Sequence, residues 1–286
     1  MTTAPPALLT GADAEATGRV GALLRGAAPL GVAFSGGVDS SLLLALAVRA
    51  LGAENVIAVL GVSPSLAADE RAAAHRVAEF IGARVVEVTT HEGELPNYRA
   101  NGPDRCFHCK NELFTRISAE VVAEYGLAAV AYGENADDLR RPDRPGQRAA
   151  TEHRVLRPLA EAGLDKAAVR RLARALQLPC ADKPAAPCLA SRIPHFEEVT
   201  PEKLRQIEQA EQAVRRLGFT DCRVRHHGET ARIELPVDEL GRAVTEPVRS
   251  ALLDAVRAAG FRTVTIDLAG IRSGAFALSV VAVTHG

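Results

Sequence analysis

The sequence offers little that a nucleic acid or a membrane surface would bind. It contains no Trp and only three Tyr, and its 34 basic and 35 acidic side chains leave a formal net charge of −1. A charge this close to zero gives no general attraction to phosphate backbones or to anionic lipids. Few aromatic rings leave few platforms on which unstacked bases could stack. We therefore expect neither nucleic acid nor membrane among the partners of this protein.

Long apolar runs and targeting patterns are also missing. No stretch reaches the roughly 18 apolar residues that a membrane-spanning helix requires. The first twenty residues lack a charged start followed by an apolar core, so we expect no secretion signal. The 286 residues are 47% hydrophobic and 24% charged, which suits one large domain or two smaller ones. We expect a cytoplasmic globular protein.

Five cysteines are present. An odd number argues against a disulfide framework and favours chemistry or metal binding. Cys106 and Cys109 form a C-x-x-C at a predicted helix start, a spacing that both metal sites and redox pairs use. A zinc site would need two more ligands nearby, and a thioredoxin-like role lacks its fold context. The residues alone leave the purpose of this pair open, and Cys180 has no assigned role.

Strand-length apolar runs alternate with helical patterns along the first two thirds of the chain. Predicted strands span 29–34, 55–60, 85–88 and 128–132, and predicted helices span 11–26, 42–50, 67–81, 108–125 and 165–176. This alternation predicts right-handed crossovers and a mostly parallel sheet, which is the α/β fold class. Residues 139–158 hold Arg140, Arg141, Arg144 and Arg148 among turn-forming residues and are predicted to be a surface loop.

The last third of the chain predicts a second domain. Residues 179–194 contain four prolines without periodicity, which is typical of a connector. We predict a first domain at 1–195 and a smaller α+β domain at 196–286. The smaller domain is predicted to begin with a helix at Thr200-Pro201. Two half-exposed strands at 223–225 and 231–235, joined at Gly228, a helix at 248–259 and a strand at 263–268 are predicted to follow.

The most informative stretch is the small-residue turn from Ala33 to Ser41, Ala-Phe-Ser-Gly-Gly-Val-Asp-Ser-Ser, between the first strand and a helix. Its glycines allow exposed backbone N–H groups, its serines add hydroxyls, and the helix directs its positive end at the turn. These features predict an anion cradle that is neither a Walker A loop nor a dinucleotide-binding turn. Residues 133–138 end another predicted strand, and ligands of parallel sheets bind at such ends.

Ser35 to Ser41 resembles the signature of the PP-loop ATP pyrophosphatases, which split ATP between its α- and β-phosphates; the alternative is a glycine-rich hairpin turn. The resemblance implies an adenine nucleotide alpha hydrolase-like fold, ATP and Mg²⁺ as cofactors, and a catalytic Asp39 near the metal and pyrophosphate. Asp39 could instead, or in addition, cap the helix. The implied ATP-binding residues are Ala33, Ser35, Gly36, Gly37, Val38, Asp39 and Ser40.

Three further stretches narrow the family: 105–110 (Arg-Cys-Phe-His-Cys-Lys), 183–192 (with Pro-Cys-Leu-Ala-Ser-Arg at its end) and 222–227 (Cys-Arg-Val-Arg-His-His). With the PP-loop ahead of them, they resemble the LarE-type sulfur transferases of nickel-pincer cofactor synthesis, over roughly residues 15–280. That resemblance implies adenylation of a carboxylate of a pyridinium-3,5-dicarboxylate mononucleotide by ATP. A cysteine sulfur then displaces AMP and leaves a thiocarboxylate. The implied family also assembles beyond a monomer, so we expect a homo-oligomer.

The resemblance assigns the thiol to Cys188, whose alternative is a buried apolar filler. Arg192, four residues later, could help to keep that thiol ionised. Arg223 and Arg225 lie two apart on a predicted strand, so both would share one face and suit a substrate phosphate. The alternative for this pair is a solvated strand face. Glu234 and Arg272 match weaker family positions at the substrate site, and the alternative for both is a structural ion pair.

Cys106, Cys109 and Cys188 together match family members that hold a [4Fe–4S] cluster with three cysteines. Three thiolates cover three irons, and the fourth iron is left to carry an exogenous sulfide. Other members lack the pair and sacrifice the single cysteine, so both sources of sulfur stay open, with the cluster favoured. Two rival functions also stay open, a PP-loop tRNA-thiolating enzyme and an ATP-sensing module without turnover.

Overall fold

The computed structural model describes residues 9, 11–140, 145–184 and 186–271. Its strands, in chain order, are β1 Leu30–Ala33, β2 Val56–Val62, β3 Arg84–Thr89, β4 Ala129–Tyr132, β5 Arg223–His227, β6 Thr230–Glu234 and β7 Thr263–Ile266. The helices are α1 Gly11–Leu24, α2 Val38–Leu51, α3 Ala68–Ile81, α4 Pro96–Arg99, α5 Arg105–Arg116, α6 Val122–Tyr125, α7 Ala136–Leu139, α8 Pro145–Glu152, α9 Pro158–Glu161, α10 Lys166–Ala175, α11 Pro201–Arg216, α12 Leu240–Ala243 and α13 Val248–Ala258.

These elements form two compact units. The first unit comprises Met1–Ser63, Ala68–Glu92 and Cys106–Ala186, and the second comprises Pro64–Ala67, Gly93–Arg105 and Pro187–Gly286. This division differs from the predicted boundary at 195/196, because backbone hydrogen bonds tie two earlier segments to the second unit. Leu189 N donates to Ser65 O at 3.0 Å, and Val199 N donates to Arg99 O at 2.9 Å.

The first unit contains a four-stranded sheet in the order β3-β2-β1-β4, with every neighbouring pair parallel. All four residues of β1 are buried, as expected for a central strand that is covered on both faces. The predicted α/β class and the four predicted strands are confirmed. The helix predicted at Leu42–Ala50 begins earlier, at Val38, so the last residues of the small-residue turn form its first turn.

The region predicted as a surface loop at 139–158 is only partly a loop. Residues 145–152 form α8, where Ala149 and Ala150 are buried in the same core cluster as Phe114. Leu156 then extends the sheet, because its N–H donates to Val130 O at 2.8 Å. The prediction was wrong because arginine and turn residues mask a short apolar face that only tertiary packing reveals.

The second unit contains a three-stranded sheet in the order β5-β6-β7. Strands β5 and β6 form an antiparallel hairpin through Gly228, whose φ of +61° favours glycine, and β7 pairs parallel to β6. Helix α11 starts as predicted, with Thr200 Oγ1 accepting from Lys203 N at 3.3 Å. Strand β5 is not half-exposed as predicted, since Arg223 to His226 are all buried. Its charged side chains tolerate burial because they are paired, as described below.

Within the parts of the chain that the structure describes, no helix is both long enough and apolar enough to cross a membrane.

Candidate active site

The turn after β1 is fixed by its own serines and by one close approach. Ser35 N donates to Ser40 Oγ at 3.3 Å, and Ser40 Oγ donates to Gly37 O at 3.1 Å. Gly36 has a φ of +70°, and a Cβ at this position would lie 2.8 Å from Ala74 Cα. A residue with a side chain would therefore be strained and would collide with α3. The turn predicted to bind an anion therefore has a backbone conformation that requires glycine at position 36.

Helix α2 begins inside this turn, so the backbone N–H groups of its first turn point towards it. Gly37 is the N-cap residue, and glycine has no side chain that could cap the helix. Asp39 is therefore not the N-cap, as the alternative interpretation had it, but lies in the first helical turn. Because the first N–H groups of a helix have no intrahelical partner, the start of α2 is a favourable place for a phosphate.

The Asp39 carboxylate is held by two residues that the sequence reasoning did not assign. Asn135 Nδ2 donates to Asp39 Oδ1 at 3.1 Å, and the Lys166 ammonium group forms an ion pair with Asp39 Oδ2. Asn135 is itself fixed as the N-cap of α7, accepting from Asp137 N at 3.0 Å and Asp138 N at 3.2 Å. Asn135 lies in the strand end at 133–138 noted in the sequence, whereas no local pattern marks Lys166.

The turn lies where the order of the sheet reverses. The chain proceeds from β1 to β2 and β3 on one side, whereas β4 pairs on the other side of β1. Ligands of open parallel sheets bind at such a switch point. Gly133, directly after β4, is pressed against the first turn of α2, because a Cβ there would lie 2.6 Å from Ser40 N. The ends of β1 and β4 thus form one continuous site.

Buried polar atoms without hydrogen-bond partners surround the end of β4. Within the part of the chain that the structure describes, Glu134 is buried, its Oε2 accepts no hydrogen bond, and Arg157 Nη1 lies 3.8 Å away. In the same ranges, the Tyr132 hydroxyl and Ser41 Oγ are also buried without a hydrogen-bond partner. Burial raises the pKa of Tyr132, and the Glu134 carboxylate raises it further. Such groups usually find a partner, and carboxylate oxygens are the ligands that Mg²⁺ prefers. The role of Asp39 beside Mg²⁺ stays a prediction, and Glu134 offers a second carboxylate at the end of the neighbouring strand.

The structure sorts the five cysteines by exposure. Cys106 and Cys188 are exposed and Cys109 is partly exposed, whereas Cys180 and Cys222 are buried. Burial raises the pKa of Cys222 to about 12, and its thiol donates to Glu211 O at 3.5 Å. The three cysteines predicted for chemistry are therefore the three that solvent reaches, and the alternative of Cys188 as a buried filler is wrong.

Cys106 and Cys109 belong to the first turns of α5 in the first unit. Residues three apart on a helix are surface neighbours, so this spacing brings the two side chains to one side of α5. Cations lie over the aromatic rings beside them. Arg148 Cζ lies 3.7 Å from the centre of the Phe107 ring, and Lys110 Nζ lies 4.5 Å from that of Tyr132.

Cys188 lies in the second unit, directly before a 3₁₀ helix at Leu189–Arg192. The Arg192 guanidinium is buried and donates to Glu211 at 2.8 Å and 3.1 Å. It also donates to Pro187 O at 2.7 Å and to Ser191 Oγ at 2.9 Å. These bonds give Arg192 a role in shaping the loop, and its expected effect on the Cys188 thiol stays a prediction.

Arg223 and Arg225 lie on the same face of β5, as the sequence predicts, and both are only 6% exposed. The solvated-face alternative is therefore wrong. Arg223 pairs with Asp221 and donates to Cys222 O at 2.8 Å. Arg225 donates to both oxygens of Glu234 at 2.9 Å.

Arg225 also donates to Ser191 O at 2.8 Å, so it joins β5 to the loop that contains Cys188. Glu234 forms an ion pair with Arg225, as the alternative interpretation of Glu234 as a structural residue predicts. A role of these residues in binding the substrate phosphate stays a prediction. Arg272, the remaining predicted substrate residue, lies outside the described residues.

In the described ranges, no three His, Cys, Asp or Glu side chains are grouped so that they could hold a metal ion. The iron–sulfur cluster implied by the resemblance therefore stays a prediction.

The chain is similar in sequence to known proteins over most of its length. The model of the asparagine synthase family matches residues 17–131, which include the turn after β1 and end within β4. An uncharacterised protein from Synechocystis sp. is 43% identical over 243 residues, which are 85% of this chain and 90% of that protein.

The pyridinium-3,5-bisthiocarboxylic acid mononucleotide synthase of Lactiplantibacillus plantarum is 36% identical over 243 residues, 85% of this chain and 87% of that enzyme. An uncharacterised protein from Methanocaldococcus jannaschii is 31% identical over 173 residues, 60% of this chain and 66% of that protein.

Proposed function

Because the chain belongs to the family of the pyridinium-3,5-bisthiocarboxylic acid mononucleotide synthase, we propose that it converts a carboxylate of pyridinium-3,5-dicarboxylate mononucleotide to a thiocarboxylate. It is an ATP-dependent sulfur transferase of nickel-pincer cofactor synthesis. The observation that carries this function is the 36% identity over 85% of the chain. The same match disfavours the two rivals, a tRNA-thiolating enzyme and an ATP sensor without turnover.

The first unit has the groups that adenylation needs. A substrate carboxylate oxygen attacks the α-phosphorus of ATP, the bond to the bridging oxygen breaks, and pyrophosphate leaves. The N–H groups at the start of α2 and the Ser35 and Ser40 hydroxyls are suited to bind the phosphates. Asp39 and Glu134 would hold Mg²⁺, which supplies positive charge to neutralise the phosphate oxygens. Lys166 supplies a further cation beside Asp39.

The second unit has the nucleophile. A carboxylate is a poor electrophile because its leaving group would be an oxide, whereas the acyl adenylate releases AMP. The Cys188 thiolate attacks the carbonyl carbon, AMP leaves, and a thioester joins the substrate to the protein. If Cys188 is the sulfur source, its Cα proton is lost and its Cβ–S bond breaks. The electron pair goes to sulfur, thiocarboxylate leaves, and residue 188 becomes dehydroalanine.

We favour the other route, in which Cys106, Cys109 and Cys188 hold a [4Fe–4S] cluster. The exposure of the cysteines supports this choice of ligands, because solvent reaches these three thiols and the other two cysteines are buried. Such a cluster supplies an iron that carries sulfide from an outside donor and so spares Cys188.

The experiment that tests the function is an anaerobic assay of the full chain with Mg-ATP and pyridinium-3,5-dicarboxylate mononucleotide. We expect AMP and pyrophosphate in equal amounts, together with a product in which sulfur replaces oxygen, identified by mass spectrometry. Asp39→Asn keeps an oxygen for Asn135 but removes the charge beside Mg²⁺, and it should slow pyrophosphate release by orders of magnitude. ADP as the main nucleotide product would overturn the assignment.

The proposed setting is a reducing cytoplasm, since the reaction depends on a thiolate. The proposed partner is the small mononucleotide alone, without nucleic acid or membrane, and the proposed assembly is a homo-oligomer. Light scattering on the purified protein tests the assembly, and a tRNA titration at moderate salt tests the absence of RNA binding.

A further inference from the structure

Arg105 is a buried arginine whose guanidinium reaches the loop that contains Cys188. It is 8% exposed, and its Nη1 donates to Asn101 Oδ1 at 2.6 Å and to Ala190 O at 2.9 Å. Ala190 is two residues after Cys188. Removing an arginine from water is costly unless its donors are satisfied, so this placement fixes the guanidinium and the carbonyl it contacts.

Asn101 binds the residues that follow Ala190 in the loop that contains Cys188. It is fully buried, and its φ of +56° is a left-handed conformation that asparagine tolerates better than most residues. Its Nδ2 donates to Pro194 O at 2.7 Å and to Ile193 O at 3.3 Å. Arg105 and Asn101 therefore fix the chain after Cys188 at three carbonyl groups.

Other guanidinium groups fix the rest of the loop. Arg192 donates to Pro187 O at 2.7 Å, and Arg225 donates to Ser191 O at 2.8 Å. Carbonyl oxygens on both sides of Cys188 thus accept from arginine, while the Cys188 side chain is exposed. The loop has its backbone acceptors bound and its thiol presented to solvent. Arg105 differs from Arg192 and Arg225 because it comes from a segment of chain that precedes the loop by some 85 residues.

We propose that Arg105 is a positioning residue for sulfur transfer, which acts by fixing the Ala190 carbonyl and hence the direction in which Cys188 presents its thiol. This inference rests on the proposed function, because the direction of the Cys188 thiol matters only if Cys188 takes part in sulfur transfer, either as the attacking thiolate or as a ligand of the cluster that would carry the sulfide. An acyl adenylate that waits for misplaced sulfur is exposed to hydrolysis by water. A displacement of about 1 Å in a reacting group can cost a hundredfold in rate.

The test is the ratio of pyrophosphate released to thiocarboxylate formed, measured with enzyme in excess over substrate. Arg105→Ala should leave pyrophosphate release within about twofold of wild type and lower thiocarboxylate formation by about 10- to 100-fold, so the ratio rises. Arg105→Lys should give an intermediate ratio, because an ammonium group cannot reproduce the planar guanidinium that joins Asn101 and Ala190.

The matched control is Arg99→Ala. Arg99 lies in the same early segment, but its side chain is about half exposed and pairs with Glu198, so its ratio should equal that of wild type. Asn101→Gly keeps the left-handed backbone and removes the acceptor for Arg105. It should raise the ratio as well, and the double variant with Arg105→Ala should be no worse than the more severe single variant.

The ratio separates positioning from folding, because unfolded molecules form neither product. If Arg105→Ala and Arg105→Lys lower both products equally and leave the ratio unchanged, Arg105 is only structural and the inference is overturned. If Arg105→Ala does not fold, the ratio of pyrophosphate to thiocarboxylate in Arg105→Lys and Asn101→Gly tests the inference instead. A wild-type protein that releases no pyrophosphate with this substrate would instead overturn the proposed function.

Discussion

Lys166 forms an ion pair with Asp39 although 127 residues separate the two in the chain. Asp39 belongs to the first turn of α2, and Lys166 is the first residue of α10. Backbone bonds hold Lys166 in place, since Lys166 N donates to Asp137 Oδ2 at 2.9 Å and Asp165 caps α10 through Ala168 N at 2.7 Å. A cation is therefore fixed beside Asp39 at the edge of the predicted ATP site.

The first prediction concerns this lysine. Lys166→Met should weaken ATP binding about 10- to 100-fold, because a charge-assisted hydrogen bond to phosphate contributes about 1.5–3 kcal/mol. Isothermal titration with a non-hydrolysable ATP analogue and Mg²⁺ measures it. The matched control is Arg171→Ala on the same helix, which removes a cation paired with Asp13 instead. Equal affinities in wild type and Lys166→Met would show that Lys166 merely neutralises Asp39.

The PP-loop could be predicted from sequence because its residues are contiguous and the strand and helix on either side of it directly adjoin it in the chain. Gly36 and Gly37 indicate the turn, and the apolar runs on either side indicate the strand and the helix. Sequence reasoning can point to Asn135, since this residue lies in the predicted strand end at 133–138. It cannot point to Lys166, because the role of Lys166 depends on a contact between distant segments that no periodicity encodes.

The organisation of the second unit shows the same limit. The hairpin at Gly228 and the helix start at Thr200-Pro201 follow from local turn and capping chemistry. The recruitment of residues 64–67 and 93–105 to the second unit depends on backbone bonds such as Leu189 N to Ser65 O. The sequence marks Arg105 only as the residue before Cys106 and gives it no role of its own. Its contact with Ala190 appears only when both segments are folded.

The second prediction concerns the phosphate clamp. If Arg223 and Arg225 bind the substrate phosphate, Arg223→Ala should weaken substrate binding about 10- to 100-fold and leave ATP binding unchanged. Arg225→Ala should have the same effect on substrate and should also destabilise the protein, because it leaves the buried Glu234 carboxylate without its bidentate partner.

The double variant Arg225→Ala with Glu234→Ala separates these two effects. It removes both charges, so it should recover part of the lost stability in thermal unfolding without recovering substrate affinity. Loss of affinity for substrate and ATP alike in Arg223→Ala, or for neither, would rule out a phosphate clamp.

The third prediction concerns stability against pH. His226 is buried, its Nε2 bonds to Gln206 Oε1 at 3.1 Å, and its Nδ1 has no hydrogen-bond partner among the described residues. Burial lowers the pKa of His226 to about 4, and the nearby Lys203 and His227 lower it further. Because the unfolded chain takes up the proton at a higher pH than the folded chain, stability should fall as pH drops from about 6.5 to about 4.

His226→Gln should reduce this dependence, with urea denaturation at pH 7.5, 6 and 5 as the measurement. Burial also lowers the pKa of His227, so His227→Gln is the companion variant that shows how much of the slope belongs to each residue. A slope between pH 7.5 and 5 that is the same in wild type and both variants would place the titrating groups elsewhere.

The last prediction concerns what Cys188 does. If Cys106, Cys109 and Cys188 hold a [4Fe–4S] cluster, the anaerobically reconstituted protein should be brown and should contain about four irons per chain. Cys106→Ala and Cys109→Ala should lose iron together with multiple turnover. Cys180→Ala is the matched control, because Cys180 is buried and outside the predicted ligand set. This variant should keep both its iron and its multiple turnover.

If Cys188 acts alone, wild type binds no iron and each chain reacts once. Its intact mass then falls by one hydrogen sulfide, because residue 188 becomes dehydroalanine. That mass change in an iron-free protein would exclude the cluster and show Cys188 to be the sulfur source.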